Sequence, residues 1–397
     1  MVGACVAALA ANEPALQDAR IALLEPNLPS VAPADDDIDL RISAISRASE
    51  RILAYANAWS HVSSQHRFAY ECMTVWDAQS KPDGAAALHF SAAETGEPNL
   101  GYIIENRRLQ WALFESAPFR QRVTVLNAPL EGLEFDDDGV RVSLADQRKL
   151  RVRLLIAADG AQSPSRELAG IKTAGWQYDQ SAVVTHVHTS KPHQRTAWQR
   201  FTSNGPVAFL PLADGRSSLV WTNPTAEAER LVALAPEEFA IELQQASDNV
   251  LGDITLAAPR AHFPLQLKAA RDYTRSRFVL VGDAAHAVHP LAGQGVNLGF
   301  MDAACLIETF ADARNAGATL EALSEVKTLR RYERWRKSEN LVAMGLIDGI
   351  NKLFSNDSTL LGNVRRAGFN AIEHAPMAKR FFIKRALGLA GERPRMV

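Results

Sequence analysis

The chain has 397 residues, 47% of them hydrophobic and 22% charged, with a formal net charge of -2. That composition suits a globular enzyme of one large α/β unit or two closely joined domains, and it lacks the basic excess that nucleic-acid binding leaves. No apolar run approaches the roughly 18 to 20 residues needed to cross a bilayer and no basic leader opens the chain, so the expected location is cytoplasmic.

The opening, Met1-Val2-Gly3-Ala4 followed by Cys5 to Ala11, predicts a helix of small apolar residues entered from a glycine turn. After Asn12-Glu13-Pro14, the run Ile21 to Leu24 predicts an apolar strand ending in Glu25, an acid placed to hold a ribose hydroxyl in a dinucleotide fold. Prolines and acids from Pro29 to Asp37 predict an exposed loop leading to Asp39-Leu40-Arg41-Ile42, with a helix from Ser46 or Ser49. Short alternating runs begin near Met73, and Gly101 to Asn106 leads into a helix carrying Leu109 and Leu113 on one face. Gly132 to Phe135, the turn Asp136 to Gly139, and Val140 to Leu144 predict a hairpin. One strand is expected from Leu150 to Ala157, ending in Ala158-Asp159-Gly160.

A second block, Ala182 to Thr222, consists of strands joined by tight turns without helices, which predicts antiparallel sheet. Its apolar positions Phe209, Leu210, Leu212 and Trp221 are candidate substrate contacts. A helix follows over Pro236 to Ala246, then a buried strand over Phe278 to Val281, and the chain from Asn297 onward reads as helical. The three cysteines, Cys5, Cys72 and Cys305, lie far apart outside any C-x-x-C spacing and read as buried thiols. His286 and His289 lack an accompanying carboxylate or cysteine cluster, so no metal site is expected.

The most informative run is Arg277 to Gly299, in which an apolar strand ends in Gly282-Asp283 and a proline-glycine loop enters a helix of small residues. A carboxylate at a strand end can accept hydrogen bonds from a polyol, and free N–H groups from Gly293 to Asn297 can face an anion. Glycine at Gly293 and Gly295 lets a flat ring approach the backbone closely.

The run GDAAHAVHPLAGQGVNLGF, the ADG of Ala158 to Gly160, DLRISAIS and GYIIEN together resemble the aromatic flavin monooxygenases, specifically the ubiquinone-biosynthesis hydroxylases. The resemblance covers nearly the whole chain. It implies an α/β fold: a Rossmann-like FAD-binding domain with a parallel sheet, an antiparallel β-sheet substrate domain and a helical C-terminal region. The implied division gives the FAD-binding domain residues 1–72, 101–172 and 271–330, the substrate domain 73–100 and 173–270, and the C-terminal helices 331–397. Relatives carry a G-G-G-M-V-G fingerprint, which makes Gly3 its last glycine. The expectation is therefore that Met1 falls inside the motif, with a strand and the first glycines of the fingerprint lying ahead of it, and that a chain starting at Met1 binds FAD weakly.

By the same resemblance Glu25 would bind the adenosine ribose, Arg41 the pyrophosphate or ribityl region, and Gly282-Asp283 the ribityl or pyrophosphate region. Asn106, with Gln110 one turn on, would be a polar FAD contact, Asp159-Gly160 would lie near FAD and the nicotinamide donor, and Pro290, Gly293, Gln294, Gly295, Val296 and Asn297 would line the isoalloxazine. As a bare pattern Asp159 could equally cap a turn.

The implied reaction is reduction of FAD by NAD(P)H or another donor, formation of a C4a-hydroperoxyflavin with O2, and hydroxylation of a polyprenylated phenol in ubiquinone biosynthesis. The alternatives are a hydroxylase of a small soluble phenol and a non-catalytic scaffold. No catalytic base is identifiable. Cations interleaved with apolar residues from Met377 to Leu387, namely Lys379, Arg380, Lys384 and Arg385, fit a solvated helix packed on the domain, or else contact with a membrane surface, peripheral to the inner membrane, or with a ubiquinone-biosynthesis complex.

Overall fold

The computed structural model describes residues 1–29, 31–34, 38–84, 86–288, 295–354 and 368–397. Helix α1 (Val2–Asn12) has no polar face, and Ala4 to Ala11 are all buried. It packs against α3 (Asn106–Glu115), α4 (Ala117–Arg122) and the long α8 (Gly295–Asn315). The carbonyls that α1 leaves free at its C-terminus need partners. Arg122 supplies one, donating to the Ala11 carbonyl at 2.6 Å while reaching Leu16 at 2.8 Å.

The parallel strands form two pieces. β1 (Ile21–Leu24) pairs with β7 (Val123–Leu126), while β11 (Leu155–Ala157) pairs with β19 (Phe278–Leu280), which also carries the antiparallel β18 (Thr274–Arg275). Gly3 touches both pieces, since a Cβ there would lie 3.3 Å from Ala158 and 3.5 Å from Leu23. The expected strand from Leu150 to Ala157 is two strands. β10 (Lys149–Val152) continues the hairpin of β8 (Leu130–Asp136) and β9 (Gly139–Leu144), and Arg153-Leu154 then turn the chain into β11 of a different sheet.

A small antiparallel sheet joins β2 (Ile42–Ile45), β6 (Gly101–Glu105) and β3 (Phe68–Tyr70). Ser46 caps α2 (Arg47–Tyr55), its hydroxyl accepting the Ser49 N–H, as a serine before an amphipathic run should. Asp159 and α5 (Pro164–Leu168) connect β11 to the large sheet.

That sheet has nine strands. In spatial order they are β20 (His286–Ala287), β17 (Ala261–Ala270), β12 (Thr173–Thr189), β15 (Ser217–Pro224), β14 (Gly205–Pro211), β13 (Thr196–Thr202), β4 (Cys72–Asp77) and β5 (Ala87–Ser91), with β16 (Ile254–Leu256) beside β12. All pairings are antiparallel except β13 with β4. Alternation gives each strand two faces. One face, with Val183, Val187, Val207, Phe209, Leu219 and Trp221, packs on α6 (Thr225–Ala233) and α7 (Pro236–Ala246) through Ala228, Leu231, Phe239 and Leu243.

Helices α8, α9 (Val326–Phe354) and α10 (Pro376–Ala386) make up most of the C-terminal region. Lys379 on α10 is buried between Glu94 at 3.2 Å and Glu373 at 2.9 Å, and Arg385 lies 3.4 Å from Glu339. Of the four cations singled out in the sequence, this leaves Arg380 and Lys384 on the exposed surface. No helix among the described residues is long and apolar enough to cross a membrane.

Candidate active site

Strand β19 is fully buried and delivers Gly282 and Asp283 at its end. Gly282 adopts φ +60°, and a Cβ there would lie 3.2 Å from Val2 at the start of α1. A Cβ at Gly299 would approach Val2 to 2.7 Å, so glycines at both positions let α8 and the strand end close on the N-terminus of α1. The Asp283 carboxylate opens to solvent, and Gly295, first residue of α8, lies beside it, with Oδ1 3.9 Å from where a Cβ would be. Although an edge of the side chain is exposed, the protein packed around the carboxyl desolvates it and pushes it above its usual range, and Asp302 adds to the effect against the pull of His286.

Beneath this loop lies a fully buried polar cluster centred on Asp302 of α8. Its Oδ2 accepts the Gly282 N–H at 3.0 Å and faces His286 Nε2 at 2.5 Å. Its Oδ1 accepts from Arg336 Nε at 2.7 Å and Asn340 Nδ2 at 3.1 Å, and Arg336 also donates to Asn340 Oδ1 at 2.7 Å. Burial opposes ionisation of Asp302, but His286 and the Arg336 guanidinium outweigh it and hold the carboxyl well below the usual range. Three elements, the strand end, α8 and α9, are thereby fixed to one carboxylate.

Glu25 closes β1 at the opposite side of the α1 N-terminus. Its backbone N–H continues the ladder to Leu126, and its Oε1 accepts the Asn27 N–H at 3.1 Å. Glu25 and Asp283 both lie close to Met1 at the start of α1. Gly3, Glu25, Gly282, Asp283 and Gly295 therefore converge on one helix N-terminus flanked by carboxylates at two strand ends. A helix N-terminus favours an anion and strand-end carboxylates accept from ribose or ribityl hydroxyls, so this set fits a dinucleotide such as FAD.

Asn297, Asn106, Arg41 and Asp159 have defined partners within the protein. Asn297 Oδ1 accepts from the Ser46 N–H at 3.0 Å and the Ser49 hydroxyl at 2.7 Å, and its Nδ2 donates to the Ala44 carbonyl at 2.8 Å. It thus fastens the first turn of α8 to the β2–α2 junction, while Val296 packs half-buried against the core. Asn106 accepts from the Ser43 hydroxyl at 2.6 Å and its N–H bonds the Arg41 carbonyl at 2.9 Å; Gln110 is half-buried one turn on. The Arg41 guanidinium stacks 5.0 Å from the Phe263 ring of β17, bridging the small sheet to the large one. Asp159 accepts from the Ser163 hydroxyl and from the Ser165 N–H at 2.9 Å, which caps α5, and Gly160 at φ +85° supplies the turn. Pro290, Gly293 and Gln294 lie outside the described residues.

The four predicted substrate contacts separate by strand alternation. Phe209 and Trp221 point into the core beneath α6 and α7, whereas Leu210 and Leu212 pack with Ile38, Ile42 and Ala44 on the other side. On that second face the register sets Val184 opposite Val220, Val220 opposite Ala208, and Ala208 opposite Gln199. Val184, Val220, Ala208 and Leu210 stay partly accessible in the middle of a nine-stranded sheet. The rest of this face is covered: Ala182, His186, Ser218 and Thr222 are buried, and Val75 and Phe201 pack under Ile347, Phe369 and Ile372, so what stays accessible is the strip Val184, Val220, Ala208 and Leu210, close to Phe263 and Arg41.

Sequence reasoning missed Val184, Ala208, Gln199 and Val220, although the period-two pattern that separates 208 and 210 from 209 was present. It also missed Asp302, Arg336 and Asn340. Glu105, in the GYIIEN run, is buried and bonds the Asp39 N–H at 2.9 Å, Arg107 Nε at 2.7 Å and Arg108, fixing the segment that carries Arg41.

Against known proteins, residues 77–338 match the FAD binding domain family. The chain is 36% identical to the 3-demethoxyubiquinol 3-hydroxylase of Escherichia coli, covering 93% of this chain and 92% of that protein. The chain belongs to the ubiquinone-biosynthesis FAD hydroxylase family. It is also 36% identical to the ubiquinone hydroxylase UbiL of Rhodospirillum rubrum, over 90% of this chain and 82% of that one. The p-nitrophenol 4-monooxygenase PnpA of Pseudomonas putida has the same fold, with a TM-score of 0.75 at 18% identity over 98% of this chain and 96% of its own. The enzyme is thus an FAD-dependent aromatic monooxygenase, and in this family FAD supplies the oxygen chemistry when bound.

Proposed function

We propose that the enzyme hydroxylates the aromatic ring of a polyprenylated phenol in ubiquinone biosynthesis, using O2 and electrons from NAD(P)H. The observation that carries this reading is an accessible apolar strip on the large sheet: partly accessible Val184, Val220, Ala208 and Leu210 form a platform for a ring, close to Arg41 and Phe263. Glu25, Asp283 and the N-termini of α1 and α8 would hold the cofactor. Asn297 and Asp302 would act one step removed, keeping the α8 N-terminus and the Gly282 loop in place. An α8 N-terminus so fixed would stabilise negative charge developing nearby without reorganising at the moment of reaction.

In this reading 73–100 and 173–270 form the substrate domain around the large sheet, and 1–72, 101–172 and 271–330 hold the cofactor. A tailed phenol resides in a membrane, and α10 presents Met377, 88% exposed, and Phe381, 53% exposed, beside Arg380 and Lys384 as a membrane-contact face. The test is turnover of a short-chain polyprenylphenol by FAD-loaded protein with NADH, followed by mass spectrometry. A product heavier by one oxygen atom, with matching O2 uptake, is expected. O2 uptake with no oxygenated product would refute the assignment.

A further inference from the structure

A cavity of about 400 Å³ lies near the accessible strip of the large sheet, between the β2–β6 sheet and the turn Leu212 to Asp214. Its apolar walls are Ile38, Ile42, Phe68, Ile103, Ile104 and Leu212. The volume falls within the ~300–1,000 Å³ range of small-molecule sites.

Its polar lining is already engaged by the protein. Glu105 is bonded to Asp39, Arg107 and Arg108, and Asp214 accepts from the Arg216 N–H at 3.0 Å and Nε at 2.7 Å. Gln65 and His66 bond each other at 3.1 Å. A polar guest would have to break these contacts, whereas an apolar guest would cover Ile38, Ile42 and Phe68, all left half-buried. Leu210 links the two spaces. It follows Ala208 on the same face of β14 and packs in one cluster with Ile38, Ile42 and Leu212.

We propose that this cavity receives the isoprenoid tail of the substrate while the phenol ring lies on the Val184–Val220–Ala208 row. The proposal rests on the reading of the enzyme as a polyprenylphenol hydroxylase. It makes the tail, a flexible branched hydrocarbon, a determinant of affinity, and it assigns Ile42 and Leu212 as the residues that sense it.

The test uses the FAD-loaded enzyme and two phenols with the same ring, one bearing a farnesyl chain and one a methyl group. Equilibrium dialysis gives affinity without turnover, and steady-state kinetics gives KM and kcat. For the wild type the farnesyl phenol should bind about tenfold more tightly or better, and Ile42→Trp should erase most of that advantage while changing methyl-phenol affinity less than about twofold. Leu212→Phe, a smaller intrusion from the opposite wall, should act in the same direction, and Ile42→Leu should keep the wild-type ratio. Equal affinity for both phenols, or a farnesyl preference untouched by both narrowing variants, overturns the proposal. A retained, Ile42-dependent preference without hydroxylation of either ring would leave the tail site standing and defeat the functional reading instead.

Discussion

Replacing Asp302 by Asn tests whether the buried cluster holds the Gly282–Asp283 loop. The wild-type carboxylate accepts from Gly282, Arg336 and Asn340 and faces His286, with no solvent exposure. An amide keeps the shape but loses the charge and turns one acceptor into a donor, leaving the Arg336 guanidinium buried without a counter-charge. Breaking a buried ion pair from one side costs about 3–5 kcal/mol. With an unfolding entropy of ~2.1 cal/mol/K per residue, the 397-residue chain unfolding as a unit would lose about 4–6 °C in Tm. The assay is a double-mutant cycle with Arg336→Met, read by denaturant unfolding. The double variant should be clearly less destabilised than the sum of the singles, by ~1.5 kcal/mol or more. A loss within about 0.5 kcal/mol for Asp302→Asn, as for an ordinary surface change, or strict additivity, would refute the reasoning.

The same carboxylate predicts a pH dependence. The folded pKa of Asp302 is depressed, so its stabilising contribution is present above the unfolded value of ~3.9 and is lost as pH falls through the folded value; acid unfolding curves should lose part of their slope below about pH 4 in Asp302→Asn, and an unchanged slope would contradict the assignment. The two faces of β14 should respond oppositely: Phe209→Ala should cost about 3–5 kcal/mol of stability, while Leu210→Trp should raise KM for the phenol with much less change in Tm. Equal effects on KM from both would show that the faces are misassigned. Charge reversal at Arg380 and Lys384 should weaken sedimentation with anionic vesicles, whereas Lys379→Met should act through stability, because its ammonium is already paired with Glu94 and Glu373. Identical vesicle binding by Arg380→Glu/Lys384→Glu and wild type would remove the membrane face.

Local chemistry made much of the fold legible. The helix Pro236–Ala246, the hairpin between β8 and β9 and the buried strand ending in Gly282-Asp283 occur where the sequence puts them, although the hairpin turns at Asp137-Asp138 and Gly139 lies in β9, where a Cβ would come 2.7 Å from the Val152 carbonyl. Leu150 to Ala157 read as one strand because the alternating Leu150-Arg151-Val152-Arg153 runs straight into the apolar Leu154 to Ala157, and the turn at Arg153-Leu154 that sends it to a second sheet has no glycine or proline to mark it. Phe209 and Leu210 were grouped because both are apolar, although adjacent strand residues face opposite ways. The Asp302 cluster was out of reach for a different reason. Its members come from three elements, and neither Arg336 nor Asn340 on α9 shares a local pattern with Asp302 on α8. A charged residue on a helix reads as solvated until its neighbours in space are known.

The measurement that bears most directly on the enzyme as an FAD-dependent hydroxylase is an absorption titration of the purified protein with FAD, followed by NADH and phenol on the same sample. The prediction is a saturable perturbation of the flavin bands that weakens in Asp283→Ala and Glu25→Ala, then bleaching by NADH and phenol-dependent recovery in air with oxygenated product. Flavin spectra indifferent to the protein, or binding unaffected by either carboxylate, would contradict the site built from the two strand ends and the helix N-terminus between them.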